Sequence, residues 1–345
     1  MSEPLLKVDN LHVDFQTYGG VVQAVRGVSF DVHAGQTLAI VGESGCGKSV
    51  TVQSLMGLIP MPPGRIHQGS ATLRGNDILA SKFIDGDDIR GREISMIFQD
   101  PMTSLNPTMN IGSQIAETLE VHRGYSKTQA FNRAIELLDM SKIPEAAKRA
   151  KQYPFEFSGG MLQRAMIAMA IACEPAILIA DEPTTALDVT IQAQILDLLG
   201  DLQKETGMAI ILITHDLGVV ARMADDVLVM YAGEVVEKGS VDDIFYRSGH
   251  PYTQGLRLAM PSNRQVSTDE DEQTLVAIDG SPPDLFNPPK GCAYHPRCPY
   301  AMRVCAERTP PVEALGTGHH TQCWLHHEQA GALPVGLTSS TGTSK

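Results

Sequence analysis

The 345-residue chain carries 40 Asp and Glu against 27 Lys and Arg, a formal net charge of −13. That balance argues against a nucleic-acid groove as the main surface, because such affinity comes from Lys and Arg neutralising phosphates. Apolar residues make up 43 %, enough for one large α/β domain and a smaller appendage. No run approaches the ~18 uncharged apolar residues of a membrane span, and the opening Met-Ser-Glu-Pro-Leu-Leu-Lys lacks the pattern of a secretory signal. A cytosolic chain is expected, with any membrane role exercised through a partner.

Residues 5–32 alternate apolar and polar (Leu6, Val8, then Val28, Phe30, Val32), the pattern of antiparallel strands with one wet face. An apolar run from Thr37 to Gly42 has the length of a buried strand. It leads into Gly42-Glu43-Ser44-Gly45-Cys46-Gly47-Lys48-Ser49, which fits G-x-x-x-x-G-K-[ST] without a mismatch, and helix-forming sequence follows over 48–58. A loop between such a strand and helix aims backbone N–H groups and the positive helix end at an anion. Gly42, Gly45 and Gly47 give the backbone room to approach phosphates, Lys48 reaches the β and γ oxygens, and the Ser49 hydroxyl ligates Mg²⁺. These eight residues and Val50 are the candidate contacts of a nucleoside triphosphate.

Polar strands are expected around 70–79 and 94–98. Between about 101 and 169 the spacing becomes helical, with helices predicted over 111–121, 127–138 and 159–171. Strand-like runs return at 176–180, 209–214 and 227–230, with a helix over 189–202. Alternating strands and helices imply a parallel sheet, interrupted here by an inserted helical block. Residues 263–274 are polar and contain the acidic run Asp269-Glu270-Asp271-Glu272, the composition of a solvated linker. A disordered tail is expected over 331–345.

Ile177-Leu178-Ile179-Ala180 closes on Asp181-Glu182. A buried strand ending beside the phosphate loop puts Asp181 next to Mg²⁺ and Glu182 in position to polarise the attacking water. Phe157-Ser158-Gly159-Gly160-Met161 opens a helix, with Ser158 suited to cap it and the glycines leaving its end bare for an anion. The order phosphate loop, Gln99, Ser158-Gly159-Gly160, Asp181-Glu182, Ala186-Leu187-Asp188 and Thr214-His215-Asp216 resembles the ATP-binding cassette family, the motor subunits of ABC transporters. The match runs from about residue 5 to 260.

The resemblance implies a parallel-sheet α/β core with an antiparallel β subdomain and a helical subdomain at about 101–169. It also implies roles. Phe15 is similar to the aromatic that stacks on adenine, with Tyr18 the other candidate. Gln99 is similar to the glutamine that joins Mg²⁺ and water to the helical block. Ser158, Gly159, Gly160 and Met161 resemble the signature that contacts the γ-phosphate held by the opposite subunit, Asp188 the loop aspartate facing across the dimer, and His215 the switch histidine. Two positions depart from the family pattern: Met161 stands where Gln is usual, and Phe157 where Leu is usual.

Four of the six cysteines fall late: Cys292, Cys298, Cys305 and Cys323. In a reducing compartment such a group points to a metal rather than disulfides, and the spacing leaves zinc and a [4Fe–4S] cluster both open. With His250-Pro251-Tyr252-Thr253 before it, the segment resembles the C-terminal region of oligopeptide/dipeptide importer ATPases, which implies [4Fe–4S]. The same resemblance implies a second ATPase subunit, two transmembrane permease subunits and an extracytoplasmic binding protein, at the cytoplasmic face of the inner membrane; the altered signature and the one-sided cysteine tail point to a homologous, non-identical chain as that second ATPase. The expected layout is 1–260 cassette, 261–280 linker, 281–330 four-cysteine extension and 331–345 tail. Cys173 is expected in the core, and His319, His320, His326 and His327 on the solvated surface.

Overall fold

The computed structural model describes residues 3–80, 89–185, 187–260, 278–334 and 336–337. The acidic run at 269–272, nearly all of the expected linker, most of the expected tail and Ala186 lie outside them.

A four-stranded antiparallel sheet has the order β2-β1-β4-β5, built from β1 (Leu6–Thr17), β2 (Gly20–Val32), β4 (Gly64–Leu73) and β5 (Asn76–Asp77). In β1 the alternation predicted from sequence holds, but a register shift between Val8 and Leu11 resets it, with Asn10 at φ 50°. Leu6, Val8, Leu11 and Val13 therefore all point inward and are 2 % exposed or less.

The larger sheet has eight strands in the order β11-β12-β10-β9-β3-β8-β7-β6. Its centre is parallel: β3 (Thr37–Val41) lies between β8 (Ala209–Thr214) and β9 (Asp226–Tyr231), and β7 (Ile177–Asp181) joins β8 to β6 (Ile94–Ile97). Both faces of these strands are covered, so they read as continuous apolar runs. Leu178, Ala180, Ile210 and Leu212 enter the core shared with the helical block. Ile177, Ile179, Ile211 and Ile213 enter the core under the antiparallel sheet. The expectation of a polar strand at 94–98 is corrected here, since all four residues of β6 are buried.

Between β6 and β7 lies the helical block, including Ile111–Arg123, Lys127–Met140 and Gly159–Ala170. Its ends are written into the sequence. Asn110 accepts the Ser113 N–H and Gly124 ends the first helix in the left-handed region, while Ser126 and Gln129 form a capping box on the second. Ile115, Leu119, Leu137, Leu138 and Ile167 interlock across these helices. Each such fully buried aliphatic side chain contributes about 1.5–3 kcal/mol. Cys173 is buried in the same region, as expected.

The C-terminal segment extends the main sheet. β12 (His319–Thr321) pairs with β10 (Glu234–Ser240), and β11 (Glu313–Gly316) pairs with β12. Tyr294, Cys292 and Cys298 pack with Tyr231 and Tyr252 in a third apolar cluster on β3 and β9. His319, expected on the surface, is 3 % exposed. It bonds Glu237 at 2.8 Å and lies 3.7 Å from Asp243, a carboxylate pair that makes its burial tolerable.

Candidate nucleotide-binding site

The phosphate loop connects the C-terminal end of β3 to the helix Lys48–Leu55, at the mouth of the parallel sheet. Parallel α/β folds place ligands there. Lys48 is 6 % exposed, and its Nζ donates to the carbonyls of Gly42 at 2.8 Å and Glu43 at 3.0 Å, so the ammonium is pinned inside the loop. The helix begins at Gly47, which has no side chain to cap it, and its first turn carries no carboxylate. Its N–H donors are therefore left for an anion. Gly47 has φ +99°, and a Cβ there would stand 2.3 Å from the Ala24 carbonyl oxygen, so the glycine is needed for the close pass of the protein's own chain.

Ser49 Oγ donates to Asp181 Oδ1 at 3.0 Å, bringing together two groups 132 positions apart. Burial pushes the Asp181 carboxyl up from its ordinary range, and the Ser49 hydroxyl partly offsets this. A buried carboxylate and a hydroxyl are the hard oxygen donors that suit Mg²⁺, and an ion held there would offset part of the triphosphate's negative charge.

Glu182 follows at the end of β7 with φ +48°, a strained conformation for a residue with a side chain. Its N–H donates to the Ile213 carbonyl at 2.9 Å, which ties the strained turn to β8. Three side chains fix its carboxylate: Gln99 Nε2 donates to Oε2 at 2.9 Å, Thr185 Oγ1 donates to Oε2 at 3.0 Å, and His215 Nδ1 lies 3.3 Å from Oε1. Thr185 escaped the sequence reading. Its only signal is its place three residues after Glu182, where a turn returns it to the carboxylate.

Ser158 caps the helix Gly159–Ala170 by accepting the Met161 N–H, and Asp188 caps Val189–Thr206 by accepting the Ile191 N–H. The two helix starts adjoin, since a Cβ on Gly160 would stand 2.8 Å from Ile191. Among the described hydrogen bonds, none joins residues 158–161 to the phosphate loop of the same chain. Phe157 is buried in the core of the helical block and Met161 packs against it, so both departures from the usual signature serve packing. Phe15 is half-buried against the antiparallel core, whereas Tyr18 stands exposed at the β1–β2 turn. Within the loop, Ser44 and Gly45 are exposed and Val50 is half-buried. Cys46 is buried, with its thiol pushed up by that burial.

All four late cysteines are free thiols. The Cys292 N–H donates to the Cys305 carbonyl at 2.8 Å. Burial, with smaller contributions from the neighbouring thiols, pushes Cys292 and Cys323 up to about 12 and Cys298 upward. Among the described residues, however, no group of three or more His, Cys, Asp or Glu side chains is arranged to hold a metal ion. The expected metal-binding extension is thus not shown as a metal site. A single zinc needs sulfurs about 3.8 Å apart, from Zn–S bonds of about 2.3 Å in a tetrahedron.

A cassette that cradles a nucleoside triphosphate is thereby defined, and comparison with known proteins places it further. The ABC transporter family model matches residues 25–185, and the model for the C-terminal region of oligopeptide/dipeptide transporters matches 236–305. The oligopeptide transport ATP-binding protein OppD of Bacillus subtilis is 56 % identical over 94 % of this chain and 90 % of its own length. The dipeptide transport ATP-binding protein DppD of the same organism is 54 % identical over 95 % of this chain and 96 % of its own. Among solved structures, the dimeric post-hydrolysis state of the ATP-binding cassette MJ0796 bound to ADP and Pi superposes with a TM-score of 0.61. It is 27 % identical and covers 68 % of this chain and 98 % of that one. The chain belongs to the ABC transporter ATP-binding subunits, in the oligopeptide/dipeptide transporter family. It is an ABC ATPase. Among the described residues no helix is long and apolar enough to cross a membrane.

Proposed function

We propose that this chain is the ATP-hydrolysing subunit that energises a membrane importer of dipeptides or oligopeptides. The carrying observation is the convergence of Lys48, Ser49, Asp181, Glu182, Gln99 and His215 at one mouth of the sheet. The names of its relatives support the peptide substrate.

In this reading the phosphate loop and Lys48 bind the triphosphate of ATP. Ser49 and Asp181 would hold Mg²⁺, which when bound would supply charge stabilisation for the γ-phosphoryl group. Glu182, oriented by Gln99, Thr185 and His215, accepts a hydrogen bond from the attacking water and aims it in line. Phosphoryl transfer depends on positioning and charge stabilisation, and among the described hydrogen bonds none joins the signature Ser158–Met161 to its own phosphate loop. A second cassette therefore supplies the signature across the seam, with Asp188 nearby. That second subunit is a homologous, non-identical chain. Two permease subunits span the membrane, an extracytoplasmic binding protein delivers the peptide, and this chain sits at the cytoplasmic face of the inner membrane. Tyr18 or Phe15 stacks on adenine.

We further propose that Cys292, Cys298, Cys305 and Cys323 would hold a [4Fe–4S] cluster. Burial, with a smaller contribution from the neighbouring thiols, raises the proton affinity of Cys292 and Cys323, and buried thiols of that kind ionise only beside a compensating positive centre.

The test is reconstitution with its permeases in vesicles containing a peptide-loaded binding protein. ATP-dependent peptide accumulation that stops without this chain is expected. Robust ATP turnover with no peptide movement would overturn the substrate assignment.

A further inference from the structure

The segment after residue 278 returns to the nucleotide side of the cassette at two places. The side chain of Arg297, beside Cys298, is 5 % exposed and forms a bidentate pair with Glu43, the second residue of the phosphate loop: Nη1 donates to Oε2 at 2.6 Å and Nη2 to Oε1 at 3.0 Å. Its remaining contacts run to the Asp279 carbonyl, the Ile278 carbonyl and Tyr231 Oη. The Glu43 backbone N–H donates to Tyr252 Oη at 2.9 Å, so this loop residue is fixed through both its backbone and its side chain. The second place is the β1–β2 turn. The Gln23 N–H donates to the Leu285 carbonyl at 2.9 Å, and a Cβ on Gly19 would stand 3.5 Å from the Phe286 ring.

We infer that Arg297 is a positioning residue for ATP, through which the C-terminal segment sets the nucleotide affinity of the cassette. The inference rests on the phosphate-loop reading above. Its physical basis is charge. Glu43 is a carboxylate within the very loop that must accept a triphosphate, and an unpaired carboxylate there repels it. The planar guanidinium matches both carboxylate oxygens at once, cancels the charge and holds the side chain aside. Because Arg297 is itself held by the chain at 278–279, the restraint belongs to the folded segment rather than to a loose surface pair.

The experiment measures steady-state ATP hydrolysis by the complete transporter carrying Arg297→Gln, Glu43→Gln or both, with Arg297→Lys as a fourth variant. Arg297→Gln is expected to raise KM for ATP about tenfold, the order expected for one charge-assisted contact, while kcat stays within about twofold. Glu43→Gln removes the repulsion, so the double variant is expected to return close to the Glu43→Gln value. A merely structural role for Arg297 would give no such rescue. If Arg297→Gln does not assemble, Arg297→Lys is read instead: it keeps a charge without the fork and is expected to raise KM a few-fold. An unchanged KM in the variant that assembles, or a double variant as impaired as the sum of the singles, would overturn the inference. A wild-type transporter without ATP turnover would overturn the site reading itself, and the inference with it.

Discussion

The Gln99 side-chain amide donates to Glu182 Oε2 at 2.9 Å, across 83 positions of sequence. Sheet register makes the pair: Ile97 of β6 stands beside Ala180 of β7, and Gln99 and Glu182 each follow two residues later. Gln99 is also the last stop before the helical block, so a displacement of that block reaches the carboxylate directly. Gln99→Ala is expected to slow ATP turnover by the assembled transporter about tenfold, or about 1.4 kcal/mol of transition-state stabilisation. Nucleotide affinity should be little changed. Comparing kcat with ATP binding checks this, and an unaltered kcat would count against the coupling.

Ser49 and Asp181 share one hydrogen bond at the position where oxygen donors for Mg²⁺ are needed. Asp181→Asn removes the charge while keeping the shape. The Mg²⁺ concentration giving half-maximal turnover is expected to rise at least tenfold, because hard cations prefer carboxylate over amide oxygen. A Mg²⁺ titration at fixed ATP decides it, and an unmoved midpoint would remove Asp181 from this role.

His250 is buried and accepts the Tyr252 N–H at Nδ1, which leaves the ring neutral. Burial, aided by nearby His326, lowers it from 6.5 to about 3. Between those values the unfolded chain binds a proton that the native chain refuses, so stability falls as pH falls, by up to about 1.4 kcal/mol per pH unit. Denaturant unfolding of wild type and His250→Gln at pH 7.5, 6.5 and 5.5 should show a steeper acid loss for wild type. Equal slopes would mean that another group is responsible.

Anaerobic purification of the intact chain is expected to give a brown protein with about four irons, and Cys323→Ser should lose most of them. Stoichiometric zinc without iron would instead identify a single-ion site.

What could be read in sequence follows from how local each signal is. The phosphate loop, the strand ending at Asp181 and the capped helix at Ser158 each lie within about ten consecutive residues, and each stands where expected. The buried strands β3, β7, β8 and β9 were legible because parallel strands covered on both faces carry long apolar runs, whereas β6, broken by Ser95, read as polar although all four of its residues are buried. The C-terminal segment was not. β11 and β12 are four and three residues long, too short for a period, and they form only because β10 offers an open edge. His319 looks like a surface residue until Glu237, 82 positions earlier, is brought against it. The Arg297–Glu43 pair spans 254 positions, a distance over which no local pattern can pair a particular arginine with a particular carboxylate.

The most direct test concerns Glu182. In the assembled transporter, Glu182→Gln keeps the hydrogen-bonding shape but removes the charge that orients water. ATP binding should persist while hydrolysis falls by two to four decades, about 3–5.5 kcal/mol, and peptide uptake falls with it. Turnover within about threefold of wild type would show that the phosphoryl group is transferred without this carboxylate, and the site as drawn would be wrong.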